Sequence, residues 1–145
     1  MPFVQDVLRE KGTEVQTIAP EASVLEAIQR MNQQKIGALV VTKDDRIVGI
    51  FTERDVLRRV VCDPRRPQDM TVAEVMTSEV VCCPPTADLD DISNVIKNRR
   101  IRHVPICDNA GRLVGLVSIG DVNAYNVSHQ EATILGLNEY IYGRA

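Results

Sequence analysis

Asp55 and Asp121 each close the same pattern, G-x-x-[ST]-x-x-D, in Gly49-Ile-Phe-Thr-Glu-Arg-Asp55 and Gly115-Leu-Val-Ser-Ile-Gly-Asp121. A carboxylate offers two acceptor oxygens, enough for both hydroxyls of a ribose. A hydroxyl and the exposed N–H groups of a helix start can hold a phosphate or a ribose oxygen. Thr52 and Ser118 supply that hydroxyl ahead of each aspartate. The spacing also has a purely local use, because a hydroxyl at the N-cap and an acid at N3 stabilise a helix without any ligand. Taken alone, the motif serves either purpose.

Other reactive residues add little catalytic chemistry. The chain has two histidines, His103 and His129, and no nucleophile elbow, H-E-x-x-H helix or P-loop. An enzyme is therefore not expected, and no catalytic or metal-binding residue is assigned. Cys62, Cys82, Cys83 and Cys107 lack C-x-x-C spacing and are expected to be free thiols.

The elements that must position the two aspartates are themselves doubled. Pro20 matches Pro85, Val24 matches Leu89, Ile36 matches Ile101 and Val41 matches Ile106, all at an offset of 65. The offset becomes 66 at Gly49/Gly115, Thr52/Ser118 and Asp55/Asp121, so one extra residue sits in a turn. Ser23-Val-Leu-Glu26 forms a capping box before the helical spacing of Val24, Ala27, Ile28 and Met31. Strands follow at Ala38–Val41 and Ile47–Phe51, joined by the polar turn at Lys43–Arg46, and a helix runs from about Glu53 to Val61. Pro64 and Pro67 end it. Thr71-Val-Ala-Glu74 caps a short linking helix.

The second copy repeats the plan. Leu89, Ile92, Val95 and Ile96 form the first helical face, strands lie near His103–Cys107 and Arg112–Ser118, and a helix begins at Asp121. A further helix is expected through Tyr142. The fold class is α/β: two strand-helix-strand-strand-helix repeats packed as a pseudo-twofold pair sharing one core, with helical extensions at both ends. The boundary falls between residues 1–70 and 71–145.

The chain of 145 residues is 44% hydrophobic and 26% charged, with a net charge of -3, as in a globular protein. That balance makes nucleic acid an unexpected partner. No apolar run is long enough for a membrane span, and the N-terminus lacks a secretory pattern, so a cytoplasmic location is expected.

In order and in both copies, these elements resemble the CBS domain, here as the tandem pair often called a Bateman module. The resemblance rests on Ile36-Gly-Ala-Leu-Val-Val41 with Gly49–Asp55, and on Ile101-Arg-His-Val-Pro-Ile106 with Gly115–Asp121. It implies an adenosine-containing regulatory ligand, namely AMP, ADP, ATP, NAD or S-adenosylmethionine, in the cleft between repeats, with no obligatory cofactor. By resemblance, Asp55 and Asp121 hold ribose, and Thr52 and Ser118 lie near ribose or phosphate. The base would meet Thr17, Ile18 and Ala38 in the first copy, and Val80, Val81, Val104 and Pro105 in the second. Arg102 and His103 match positions facing phosphate, and Arg54 would add charge to the first pocket. The copies are unequal: Gly37-Ala38 stands where the second has Arg102-His103, and Glu53-Arg54 where the second has Ile119-Gly120. The leading expectation is a nucleotide-sensing homodimer that modulates a partner protein. The alternative is a structural or protein-interaction dimerisation module with weak or vestigial sites.

Overall fold

The computed structural model describes residues 2–129. The first repeat contains β1 (Thr17–Ile18), α2 (Val24–Gln34), β2 (Ala38–Lys43), β3 (Arg46–Thr52) and α3 (Glu53–Asp55), and α1 (Val4–Lys11) precedes it. Strand β1 runs parallel to β2, and β2 pairs antiparallel with β3. Ser23 caps α2 by accepting the Glu26 N–H at 3.1 Å. Lys35 ends that helix in the left-handed conformation, and Arg100 ends α5 (Leu89–Arg99) in the same way. Asp44 and Asp45, both at positive φ, turn the β2–β3 hairpin.

The second repeat comprises α5, β4 (His103–Cys107), β5 (Leu113–Ser118) and α6 (Ile119–His129). Its hairpin turn is one residue longer, and Asp108 Oδ1 organises it by accepting the Ala110 and Arg112 N–H groups. That residue accounts for the change of offset: Val41 pairs with Gly49, and Ile106 with Gly115. After α3, residues Val56–Val60 are π-helical, closed by the Val61 N–H on the Val56 carbonyl.

Two expectations require correction. The first concerns Val80-Val81, expected to face the base in the second copy as Thr17-Ile18 do in the first. The structure forms a single parallel bridge there, between Cys83 and Ile106. Since Ile18 pairs with Val41, the positions equivalent to Thr17-Ile18 are Cys82-Cys83. The apolar pair Val80-Val81 reads as a strand two residues too early.

The second correction concerns the core, which is two clusters instead of one. Ile18, Val24, Leu39, Phe51, Met70, Val72 and Val75 belong to one; Val4, Val7, Leu8, Leu89, Val104, Ile106 and Val117 belong to the other. Each repeat therefore completes its core with a helix that precedes the other repeat in sequence. Helix α1 packs on the second repeat, and α4 (Val72–Val75) packs on the first. The backbone bonds repeat the exchange: Val4 N–H to Ala87 and Gln5 N–H to Pro85, against Val72 N–H to Ala22 and Ala73 N–H to Pro20. A division at residues 70/71 thus separates chain segments, not packing units.

These exchanged segments explain the glycines of the doubled motif. A Cβ on Gly49 would stand 2.5 Å from Met76 Sδ, and one on Gly115 would stand 2.7 Å from a Leu8 methyl. Between the repeats, Arg46 bridges antiparallel to Arg112, its own equivalent. A bridge between equivalent residues places them about the pseudo-twofold axis.

Candidate functional site

Both aspartates stand at strand-to-helix junctions, yet their surroundings differ. Asp55 is only 6% exposed. Its Oδ2 accepts the Thr52 N–H at 2.9 Å and the Thr52 hydroxyl at 3.3 Å, while Oδ1 accepts the Thr77 hydroxyl at 3.1 Å. Arg59 lies 4.0 Å from Oδ1. Both oxygens are therefore engaged within the chain, as a capping aspartate requires.

Asp121 keeps 25% of its side chain exposed. Oδ2 accepts the Ser118 N–H at 2.8 Å and the Lys11 ammonium at 2.6 Å. Oδ1 has no hydrogen-bond donor among the described residues. Burial alone would raise the pKa of this carboxyl, but the bonds from Lys11 and Ser118 outweigh it and hold it below the ordinary value. The result is an ionised carboxylate with one oxygen that meets no donor among the described residues.

The sheet registers bring the remaining candidates beside these junctions. Ala38 lies opposite Thr52, and His103 opposite Ser118. The Glu53 N–H donates to Gly37, and its equivalent, the Ile119 N–H, donates to Arg102. Burial pushes the His103 pKa down, opposed by Asp121 and by Glu53 of the other repeat, and assisted by Lys11 and Arg102. His103 thus shares its surroundings with charged groups from both repeats. Glu53 also lies against Gly37, whose added Cβ would meet the carboxylate at 3.4 Å. An acid at that point opposes phosphate in the first pocket.

Other expected residues have protein partners. Arg54 donates to the carbonyl of Arg100, tying α3 to the end of α5. Arg30 donates to the Thr17 carbonyl. Ile18, Ala38, Val104 and Pro105 are buried, Thr17 is half-buried, and Arg102 is exposed. Val80 and Val81 do not occupy the position equivalent to Thr17-Ile18; Cys82 and Cys83 do. All four cysteines are free thiols, and burial with the neighbouring Cys82 pushes the Cys107 pKa up to about 12.

Sequence reasoning missed Lys11 and Thr77, the two groups that distinguish the aspartates. Both are remote or unremarkable in the sequence, and neither belongs to the repeated motif. A separate groove of about 430 Å³ lies between α2 and α3, lined by Ile28, Met31, Ile36 and Val56 with Lys35 and Glu53. It contains neither Asp121 nor its partners. Leu57 and Val61 beside α3, and Val127 on α6, are strongly exposed.

Comparison with known proteins bears directly on this doubled architecture. The CBS domain family matches residues 4–62 and 72–127. The chain belongs to the CBS domain family. The two matches begin at α1 and near α4, so each includes the helix that is exchanged. The chain is 34% identical to CBS domain-containing protein YhcV of Bacillus subtilis, covering 91% of both chains. It is 32% identical to the mitochondrial CBS domain-containing protein CBSX3 of Arabidopsis thaliana, covering 97% of this chain and 72% of that one. Among solved structures, the CBS-domain protein ATU1752 of Agrobacterium tumefaciens superposes with a TM-score of 0.81 at 40% identity, covering 86% of this chain and 99% of the other. The CBS domain pair of MJ0100, in complex with 5′-methylthioadenosine and S-adenosyl-L-methionine, has a TM-score of 0.78 at 22% identity, covering 89% and 98%. That last likeness shows the fold alone. No helix among the described residues is long and apolar enough to cross a membrane.

Proposed function

We propose that this CBS pair is a regulatory module that binds an adenosine-containing ligand at the Ser118–Asp121 junction. This rests on an ionised, partly exposed carboxylate whose Oδ1 has no donor among the described residues. A ribose diol has the donors this oxygen lacks. Ser118 and Asp121 would supply the polar edge, and the ends of the entry and middle strands, at Cys82-Cys83 and Pro105, would line the base. Binding in the cleft would favour one arrangement of the repeats and alter the surface offered to a partner protein. AMP, ADP, ATP, NAD and S-adenosylmethionine are the candidate ligands, and the cytoplasm is the proposed location. Calorimetric titration of the purified chain with all five tests the proposal. Saturable binding of one or more supports it; absence of binding across the panel overturns it.

A second reading, a dimerisation module with vestigial sites, draws on the closed hydrogen bonding of Asp55 and on the exposed Leu57, Val61 and Val127. These apolar residues, with the groove beside α3, also support a homodimer under the first reading. Sedimentation at micromolar concentration should give twice the chain mass, and Leu57→Asp should lower it to the monomer. A wild-type monomer throughout that range removes the homodimer from both readings.

A further inference from the structure

We infer that Lys11 selects the charge of the ligand at Asp121, favouring anionic adenosine phosphates over neutral or cationic adenosine compounds. This inference rests on the adenosine reading above. Its basis is the difference between two equivalent positions. In the first repeat, the Thr77 N–H donates to the Ile50 carbonyl at 2.9 Å and the Thr77 hydroxyl donates to Asp55 Oδ1. In the second, the Lys11 ammonium donates to the Leu116 carbonyl at 2.7 Å and to Asp121 Oδ2 at 2.6 Å, the oxygen that also accepts the Ser118 N–H. Leu116 and Asp121 are the equivalents of Ile50 and Asp55. A neutral donor fixed by its own backbone is thus replaced by a cation on a flexible stem.

That cation can serve a ligand without leaving the site. The ammonium has three donors, of which these contacts use two, and the side chain remains 32% exposed. Exposed Arg102 adds a second positive charge beside His103, while Glu53 is the opposing anion from the first repeat. Lys11 cancels the charge of the Asp121 carboxylate, leaving Arg102 against Glu53; without Lys11 the site is one charge more negative, which disfavours a bound anion and favours a sulfonium nucleoside.

The test is calorimetric titration of the full chain with AMP, adenosine and S-adenosylmethionine, comparing wild type, Lys11→Gln and Lys11→Arg. Glutamine retains a hydrogen-bond donor and removes the charge; arginine retains the charge. Wild type should bind AMP most tightly, and Lys11→Gln should reduce the preference for AMP over S-adenosylmethionine by about tenfold. Lys11→Arg should largely retain it. An unchanged preference in Lys11→Gln, or equal weakening of all three ligands, overturns the role of Lys11 while leaving the adenosine reading intact. Wild type that binds none of the three overturns this inference, and the adenosine reading falls with it when ADP, ATP and NAD also fail to bind. Should Lys11→Gln fail to fold, a salt series on wild type decides: added salt should weaken AMP and not adenosine, and equal responses overturn the inference.

Discussion

At the residue scale, one motif serves two aspartates with different demands on them. Asp55→Asn should chiefly reduce stability, by about 1–3 kcal/mol, because it disturbs a buried acceptor bonded to Thr52 and Thr77. Asp121→Asn should chiefly reduce ligand affinity, by about 1.5–3 kcal/mol if a charge-assisted bond to ribose is lost. Ligand titration paired with ligand-free denaturation separates the effects; equal behaviour of the two variants contradicts the distinction. Acid titration provides a second check. The Asp121 pKa is lower in the folded chain than its ordinary 3.8. Its contribution is therefore present above that value and lost as pH falls toward the folded pKa. His103 also has a lowered pKa, from 6.5, so the unfolded chain takes its proton first. Stability should fall as pH drops through 6.5 toward the folded value, and His103→Gln should flatten that part of the profile. Urea denaturation from about pH 8 to pH 3 reads both slopes.

At the element scale, the motif glycines report on packing by the exchanged segments. Gly115→Ala drives a methyl group into Leu8, whose helix also carries Lys11. Overpacking of this kind costs roughly 1–3 kcal/mol. Leu8→Ala in the same chain should recover part of the loss, since it removes the atoms that the new methyl meets. Thermal denaturation of the two single variants and the double variant measures the coupling; strict additivity would show that Gly115 is required for something other than this contact. The conformational freedom of glycine is not the explanation at these two positions. Gly49 and Gly115 are required by close approach, and the positive φ values belong to Gly12 and Gly111.

At the scale of the molecule, the exchange of α1 and α4 makes each repeat depend on the other half of the chain. A fragment of residues 1–70 lacks Val72 and Val75 from its core, and one of residues 71–145 lacks Val4, Val7 and Leu8. Each fragment alone should show weak secondary structure and no cooperative melting. Mixed at equal concentration, they should recover both. Circular dichroism of the separate and mixed fragments measures this; two independently folded fragments would contradict the exchange. The same interdependence ties Asp121 to α1, since Lys11 joins them directly.

Most of the repeat was legible because local chemistry determines its elements. The capping box at Ser23, helical spacing from Val24, the two hairpins and the doubled Gly-x-x-hydroxyl-x-x-Asp motif all depend on near neighbours. They identify the CBS pair from near-neighbour chemistry. The second entry position was misread because Val80-Val81 has strand-like composition, whereas pairing register selects Cys82-Cys83. The helix expected through Tyr142 extends outside the described residues. Tertiary structure alone decided which helix completes which core and which aspartate is closed. Helix α1 reaches the second repeat across most of the chain, and its packing there through Val4, Val7 and Leu8 brings Lys11 to Asp121. Sequence spacing records the recurrence of a motif, but hydrogen-bond satisfaction depends on partners that folding brings from elsewhere. The two aspartates are consequently alike in sequence and unlike in chemistry.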